Sequence, residues 1–240
     1  MKSEDAVSEK MSSGTEHLFS IPDNWTFKSP EVAAAFDAHV REQLPWYDLA
    51  TGLVSHVARH YIPERGHVVD VGASTGNVGR AIDATLHARR ASFQPIDASP
   101  DMLEKYRGPG ELKIVDVRDH DFRDPVRPDL IIAFLVLMFI PVADRADVVR
   151  RMMSAVRPGG AVLVFDKLAT RGGHVGSVVY RLTLAAKYEA GATPDEIIRK
   201  ELSLAGVQRP IEEMELPGFV PIFRFGDFAG FLFEKGPDGG

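Results

Sequence analysis

One stretch decides the fold of this chain: Asp70-Val71-Gly72-Ala73-Ser74-Thr75-Gly76. It begins in the last two residues of a largely apolar segment, 67–71, which has the pattern of a buried strand. A segment with helical spacing follows it and begins at Asn77. Its two glycines permit positive φ angles and a close approach of the backbone to a ligand. The first N–H groups of the following helix have no partner within that helix and face the same position. The stretch therefore predicts a ligand-binding loop in an α/β sheet, although a tight structural turn has the same pattern.

Segments with strand and helix patterns alternate after this turn. Strands are predicted at 91–96, 112–115, 129–134 and 161–165, and helices at 77–89, from Ser99 to about Gly108, and at 143–156. Earlier helices are predicted at 30–43 and 48–61, and a terminal hairpin at 219–225 and 228–233. Such alternation is typical of a parallel sheet that is covered on both faces. We therefore expect a Rossmann-like α/β fold, with a mostly parallel seven-stranded sheet, N-terminal helices and a C-terminal antiparallel hairpin.

The composition is that of an ordinary globular protein, with 45% hydrophobic residues and a formal net charge of −6. The negative charge argues against a broad nucleic-acid surface and leaves a local one open. The chain has no cysteine, which excludes disulfides and thiolate chemistry, and its histidines show no spacing typical of a metal site. Residues 1–24 are predicted to be disordered, 25–235 to form one domain, and 236–240 to be a flexible tail. Neither a secretory signal nor a membrane span is recognisable, so we expect a cytoplasmic protein.

Acidic residues close the first three predicted strands. Asp70 is placed to orient the loop or to contact a ligand ammonium group. Asp97 is placed to accept ribose hydroxyls at the end of the second strand. Asp116 and Val117 follow the third strand, where an acid and an apolar side chain suit the edge and face of an adenine. Each acid alone also fits a solvated loop or a helix cap, but three at successive strand ends favour an adenosine-type ligand.

Two other interpretations of the turn are weaker. Its centre, Gly72-x-Ser74-x-Gly76, resembles a hydrolase nucleophile elbow, which requires an acid and a histidine at later strand ends. The only late histidine is His174, which lies in a predicted loop. The dinucleotide pattern Gly-x-Gly-x-x-Gly is not matched, because Ala73 and Ser74 follow Gly72.

At these residues the sequence resembles the class I S-adenosylmethionine (SAM)-dependent methyltransferases, and most closely the carboxy-SAM synthase family of the tRNA wobble-uridine pathway. The segments that carry the resemblance are Val32-Ala33-Ala34-Ala35-Phe36, Leu44-Pro45-Trp46-Tyr47, the glycine-rich turn, Ile96-Asp97-Ala98-Ser99-Pro100-Asp101-Met102, Val156-Arg157-Pro158-Gly159-Gly160-Ala161, Asp166-Lys167, His174-Val175-Gly176 and Asp195-Glu196-Ile197-Ile198-Arg199-Lys200. The resemblance implies SAM as cofactor, insert helices at about 175–207, and a homodimer formed through the insert.

The resemblance also implies the roles of individual residues. The methionine part of SAM lies at Asp70, Gly72, Ala73 and Ser74 with Tyr47 over it, the ribose at Asp97, the adenine at Asp116 and Val117, and the cofactor set is completed by Gly76, Ala98, Met102 and Phe134. Met138 and Arg199 are the predicted substrate residues. For Tyr47 a plain aromatic packing role, and for Phe134 and Met138 plain core packing, remain open. No catalytic residue is predicted.

Two departures from the family pattern affect the expected chemistry. The family has an asparagine at the end of the fourth strand, where this chain has only the apolar residues 132–135. The family also has an arginine in the insert that holds a carboxylate, and Glu201 aligns there, which would repel a carboxylate. Arg199 substitutes for that arginine only after a shift of register.

Three functions follow from this pattern. The first is a SAM-dependent methyltransferase with an unidentified acceptor, either a small molecule or a modified nucleotide. The second is carboxy-SAM synthesis from a small carboxylate donor such as prephenate. The third is a SAM-binding module without catalysis.

Overall fold

The computed structural model describes residues 40–41, 43–124, 126–170 and 172–237. The predicted disordered segment at 1–24, most of the helix predicted at 30–43 and the end of the tail at 236–240 lie outside these residues. The helices are α1 (Tyr47–Tyr61), α2 (Asn77–Arg89), α3 (Val142–Ala155), α4 (Gly173–Glu189) and α5 (Pro194–Ser203). The strands are β1 (His67–Val71), β2 (Ser92–Asp97), β3 (Lys113–Ile114), β4 (Leu130–Phe134), β5 (Ala161–Lys167), β6 (Val220–Phe225) and β7 (Phe228–Glu234).

The strands form one seven-stranded sheet in the order β3-β2-β1-β4-β5-β7-β6. The first five strands are parallel, and β7 is antiparallel to both β5 and β6. The predicted Rossmann-like sheet with a terminal antiparallel hairpin is therefore confirmed. The strand order reverses between β1 and β4, and ligands of such sheets bind outside the carboxyl ends of the strands at that point.

An apolar core packs on each face of the sheet, and this explains why the central strands are apolar throughout. Val68 belongs to the cluster that packs under α1 and α2, whereas its neighbour Val69 belongs to the cluster that packs under α3. Every residue of β4 is buried for the same reason. Alternate side chains of a central parallel strand enter opposite layers, so both sets must be apolar.

The structure differs from the sequence prediction around β2 and β3. The helix predicted after β2 is one 3₁₀ turn, Pro100–Met102, and β3 is reduced to two exposed residues at the sheet edge. The segment between them is shaped by the side chain of Tyr106, whose hydroxyl donates to the carbonyl of Pro109. The backbone N–H of Arg107 donates to the carbonyl of Thr75 at 3.0 Å instead of to its own segment, and Pro109 has no N–H, so a helix is not continued toward β3.

The insert between β5 and the hairpin consists of α4 and α5. Helix α5 begins with a capping box, in which Thr193 Oγ1 accepts from the backbone N–H of Glu196. His174, which the sequence pattern placed in a loop, lies in the first turn of α4. Of the helices in the described ranges, none combines the length and the apolar character that crossing a bilayer requires.

Candidate functional site

A cavity of about 440 Å³ lies at the carboxyl ends of the strands, between the glycine-rich loop and the insert. One end is lined by the loops after β1, β2 and β3. The other end is lined by the segment after β4 and by side chains of β5, α4 and α5. The predicted site residues that line the cavity are Tyr47, Gly72, Ala73, Ser74, Asp97, Ala98, Asp116, Val117, Phe134 and Met138. Four of the predicted residues do not line it: Asp70, Gly76, Met102 and Arg199.

The conformation of the glycine-rich loop is set by its protein neighbours. Gly72 has a φ of +67°, and a Cβ atom there would lie 2.5 Å from Cγ2 of Val136. Ser74 also adopts a positive φ, 49°, although left-handed backbone is unfavourable for residues with a Cβ. Gly76 caps α2 and packs against the backbone of Gly108, so that a side chain has no room. Gly76 therefore shapes the loop from outside the cavity.

Asp97 holds the loop in this shape. Its carboxylate accepts from the backbone N–H of Ser74 at 2.9 Å and from that of Ser99 at 2.8 Å. Burial raises the pKa of Asp97, and these backbone donors counteract part of that rise. Because the side chain also lines the cavity, its remaining lone pairs are available to ribose hydroxyls. Met102 lies beneath the loop, where its Sδ is 3.7 Å from Oγ of Ser74.

Asp70 is the most unusual polar group of the site. It is 1% exposed, and neither carboxylate oxygen has a hydrogen-bond partner among the described residues. Burial raises its pKa well above the usual range, and the nearby charge of Asp97 adds to the rise. A buried carboxylate without a partner is costly unless a cation or a donor satisfies it. An orphaned carboxylate beside the loop fits the ammonium group of SAM.

The segment after β3 carries a charged pair that was not predicted from the sequence. Arg118 donates to both carboxylate oxygens of Asp116, from Nε at 3.0 Å and from Nη2 at 2.7 Å. Its Nη1 also contacts Asp144 at 3.2 Å. Val117 is buried next to this pair. Asp116 and Val117 thus present an oriented acid and an apolar surface, an arrangement that suits an adenine.

Aromatic side chains form the wall above β4. The rings of Tyr47 and Phe134 meet edge to face with centroids 5.4 Å apart, and the Phe134 ring lies 5.1 Å from that of Phe165. Leu135 follows with a φ of 61°. A left-handed conformation costs leucine about 1–2 kcal/mol and suits asparagine better, which is the residue that the resembled family has near this position. Leu135 lines the cavity in this conformation.

Asp166 orients the same wall from beneath. Its Oδ2 accepts from the backbone N–H groups of Leu137 at 2.7 Å and Met138 at 3.4 Å. Burial raises the pKa of Asp166 to about 7, although these donors and Arg145 favour the ionised form. Asp166 therefore positions Met138, which lines the cavity. Its function as an anchor was not visible in the sequence, because its three donors, the N–H groups of Leu137, Met138 and Lys167, are all backbone groups.

Charged and polar side chains of β5, of the insert helices and of the segment after them close the far end of the cavity. Lys167, Lys187, Lys200, Glu201 and Gln208 line it. Arg199 does not, and its guanidinium pairs with Asp195 on the outer face of α5 at 2.8 Å. The structure thus departs from the prediction that Arg199 contacts the substrate. Successive side chains on a helix point about 100° apart. For this reason Lys200 lines the cavity, whereas Arg199 points to the outer face.

Glu201 does not present the bare negative charge that the sequence suggested. Its Oε1 lies 2.7 Å from Nζ of Lys187. Burial opposes its ionisation, but Lys187, Lys167 and Lys200 together lower its pKa. The glutamate is therefore ionised and compensated by lysine. Repulsion by Glu201 consequently gives no strong argument against an anionic ligand in this cavity.

Comparisons with known proteins agree with this geometry. Residues 69–162 match the family model described as "Methyltransferase domain". The carboxy-S-adenosyl-L-methionine synthase of Staphylococcus epidermidis is 28% identical over 228 residues, which cover 89% of this chain and 98% of that protein. The enzyme of the same name from Chromohalobacter salexigens is 27% identical over 96% of this chain and 93% of that protein.

Solved structures show the same fold. Human N-acetylserotonin methyltransferase in complex with SAM superimposes with a TM-score of 0.54 and 14% identity, over 88% of this chain and 57% of that one. An O-methyltransferase family protein of Burkholderia thailandensis gives a TM-score of 0.55 and 15% identity, over 86% and 60% of the two chains. The chain spans less than two thirds of the length of these two proteins. Residues 69–162 of this chain thus match a methyltransferase domain, and its seven-stranded sheet has the fold of the SAM-dependent methyltransferases.

Proposed function

We propose that the chain transfers the methyl group of SAM to a small-molecule acceptor that binds in the same cavity, beside Phe134 and Met138. One observation carries the proposal: a single cavity joins the glycine-rich loop and Asp97 at one end to an aromatic and lysine-lined chamber at the other. Cofactor and acceptor would thus meet at the wall formed after β4.

The residues assigned to the cofactor fall into two groups: those that would contact it and those that hold the glycine-rich loop in place. Asp97 is assigned to the ribose hydroxyls and Asp116 with Val117 to the adenine, and all three line the cavity. Asp70 does not line it and is assigned to the ammonium group as a charge buried behind the loop. Gly76 and Met102 hold the loop from outside the cavity. When bound, SAM supplies a methyl group that is activated by the sulfonium. Asp97 provides compensating negative charge, and Asp70 adds to it once a bound cation favours ionisation of its buried carboxyl group.

The acceptor wall has the properties that methyl transfer requires of the protein. Its contribution is mainly to hold the acceptor in line with the methyl group. Tyr47 and Phe134 are buried and in ring contact, and Met138 is fixed through its backbone by Asp166. A rigid apolar wall excludes water and fixes the direction of approach.

Carboxy-SAM synthesis from SAM and a small carboxylate such as prephenate is the second candidate. It is supported by the carboxy-SAM synthases that resemble the chain over nearly their whole length. It is supported also by the ion pair between Glu201 and Lys187, because a compensated glutamate no longer argues against a carboxylate-bearing ligand. The absence of a polar side chain at 132–135 still weighs against it.

Mass spectrometry of the product separates these functions. Purified protein is incubated with SAM and a panel of small acids, with prephenate included, and the adenosyl products are identified. S-adenosylhomocysteine together with a methylated acid supports the proposal. Carboxy-SAM formed only with prephenate would replace it by the second candidate. SAM that binds and remains unchanged throughout would favour a module without catalysis.

We further propose a homodimer that assembles through the insert in the cytoplasm. The insert helices expose large apolar side chains: Val175, Tyr188, Ile198 and Leu202 are 59–69% exposed. Such a patch is unusual on the surface of a monomer. Light scattering of the wild type and of Leu202→Glu tests this assembly, with a dimer expected for the wild type and a monomer for the variant. Participation in tRNA modification stays a proposal that rests on the resemblance.

A further inference from the structure

The loop that carries the residues assigned to the adenine is attached to a helix outside the cavity. Asp116, Val117 and Arg118 follow β3 and line the cavity, whereas no described residue of α3 does so. Two arginine side chains join this loop to the helix. One is Arg118 of the loop itself, and the other is Arg151 of α3.

Arg151 holds the backbone of the loop. Its Nη2 donates to the carbonyl oxygens of Val117 at 3.0 Å and of Arg118 at 2.8 Å, and its Nη1 donates to that of His120 at 2.8 Å. Its Nε pairs with Asp147, one turn earlier on α3, at 2.9 Å. A planar guanidinium with four such hydrogen bonds is held in one orientation. The carbonyl groups of the loop are consequently turned toward α3.

The guanidinium of Arg151 is also partly shielded from water. Its side chain is 25% exposed, and its Cζ lies 5.7 Å from the centroid of the buried Phe122 ring. Hydrogen bonds and ring contacts of a partly buried arginine are stronger than those at an exposed site. Exposed ion pairs, such as that of Arg150 with Asp147, contribute little. Arg151 therefore contributes more to holding the loop than such surface pairs do.

Arg118 holds the side chain of Asp116. Its Nε and Nη2 reach both carboxylate oxygens, and its backbone N–H donates to Oδ1 at 2.9 Å. Its Nη1 reaches Asp144 in the first turn of α3 at 3.2 Å. A bidentate pair with arginine fixes the plane of a carboxylate. Arg118 thereby presents Asp116 at the cavity as an acceptor in one orientation.

The chemistry of this acceptor indicates which purine it recognises. An ionised carboxylate accepts hydrogen bonds and cannot donate them. Adenine has an amino donor at its 6-position, whereas hypoxanthine has an oxo acceptor there. A carboxylate that is fixed opposite the 6-position favours the amino base and repels the oxo base. A carboxylate that can swing away discriminates less, because the repelled pair is then relieved.

We propose that Arg151 is a positioning residue for the cofactor. By holding the loop against α3, it keeps Asp116 opposite the 6-amino group of the adenine. The site prefers adenine to a 6-oxo purine for this reason, and Arg118 acts in the same direction from within the loop. The inference rests on the proposed function, because it takes the cavity to be the site of SAM.

Calorimetric titration with two ligands tests the base preference in the full-length protein. S-adenosylhomocysteine carries the 6-amino group, and S-inosylhomocysteine differs from it in the base alone, which is hypoxanthine. We expect the wild type to bind the adenosyl ligand more tightly by about tenfold or more, because the oxo group meets a fixed acceptor.

Two neighbouring arginines of α3 give a matched pair of variants. Arg151→Met removes the donors to three loop carbonyls, and Arg150→Met removes an exposed partner of the same Asp147. The preference for the adenosyl ligand should fall to about threefold or less in Arg151→Met and stay at the wild-type value in Arg150→Met. In the ligand-free protein, the amides of residues 116–120 should exchange hydrogen faster in Arg151→Met alone.

Thermal melts report whether each variant is folded. If Arg151→Met is not folded, Arg118→Met repeats the test, since the side chain of Arg118 is 46% exposed and its removal leaves the core intact. The same fall in preference is expected, because Asp116 then loses the group that orients it.

The possible results separate this inference from the proposed function. An unchanged preference in the folded variant, with affinity for both ligands lowered equally or not at all, overturns the inference and leaves the cofactor site standing. The arginine would then only stabilise the fold. Equal affinity of the wild type for the two ligands also overturns the inference. A wild type that binds neither ligand refutes the proposed function, and the inference with it.

Discussion

Replacing Gly72 by alanine tests whether the glycine-rich loop is shaped by the protein around it. Two costs are expected. Alanine at a φ of +67° is strained by about 1–2 kcal/mol. Its Cβ would also lie 2.5 Å from Cγ2 of Val136, and relief of such an overlap costs about 1–3 kcal/mol. Together the two terms predict a loss of about 2–5 kcal/mol in the free energy of unfolding.

The chain contains a control that carries the strain without the overlap. Gly159 has a φ of +77°, and a Cβ there would meet nothing within 4 Å. Gly159→Ala should therefore cost only the strain, about 1–2 kcal/mol. The difference between the two variants measures the overlap with Val136.

A double-mutant cycle isolates that overlap directly. Val136→Ala removes both Cγ atoms and leaves its Cβ 3.6 Å from the new methyl group, an ordinary contact. The double variant Gly72→Ala, Val136→Ala should recover the overlap and retain the strain. Urea unfolding supplies the free energies, and SAM titration shows whether the loop keeps its shape. A Gly72→Ala cost no larger than that of Gly159→Ala, with no coupling to position 136, would refute the reasoning.

Three further predictions follow. Asp97→Ala removes the acceptor of two backbone N–H groups and the proposed ribose contact. The free energy of SAM binding measured by calorimetry should weaken by about 1–3 kcal/mol. An unchanged affinity would exclude the assignment of Asp97 to the ribose. The pKa of Asp166 is raised by burial to about 7, so the folded state retains the proton more strongly than the unfolded one. The free energy of unfolding should then fall between about pH 4 and 7 and level off above, a trend that urea melts should find absent in Asp166→Asn. Arg145 donates to three backbone carbonyls and to Glu215, so Arg145→Met should lower the unfolding free energy by about 3–5 kcal/mol, and a loss below 1 kcal/mol contradicts this role.

The strands and the cofactor end of the site were predictable because their signals are local. Buried parallel strands such as β4 are short apolar runs, and the acids at 70, 97 and 116 directly follow or end the strands that position them. A parallel sheet brings such ends to one edge. The strands could therefore be predicted one segment at a time, and the acids as a group from their positions at successive strand ends.

The far end of the cavity, lined by β5 and the insert, was not predictable in the same way. Lys167, Lys187 and Lys200 are separated by 20 and 13 residues in the sequence, and only the folding of the insert over β5 brings them together. Arg199, the predicted substrate residue, lies on the outer face of α5, whereas its neighbour Lys200 lines the cavity, because one residue on a helix turns the side chain by about 100°. Arg118 escaped notice because one of its partners, Asp144, lies on α3, and Asp166 because its partners are backbone N–H groups.

Calorimetric titration of SAM into the full-length protein tests the central claim most directly. The account predicts one SAM bound per chain, with affinity reduced by about tenfold or more in Asp97→Ala and unchanged in Arg199→Met. Failure of the wild type to bind SAM, or equal affinity in the wild type and Asp97→Ala, would contradict the assignment of this cavity as the site of a class I SAM-dependent methyltransferase.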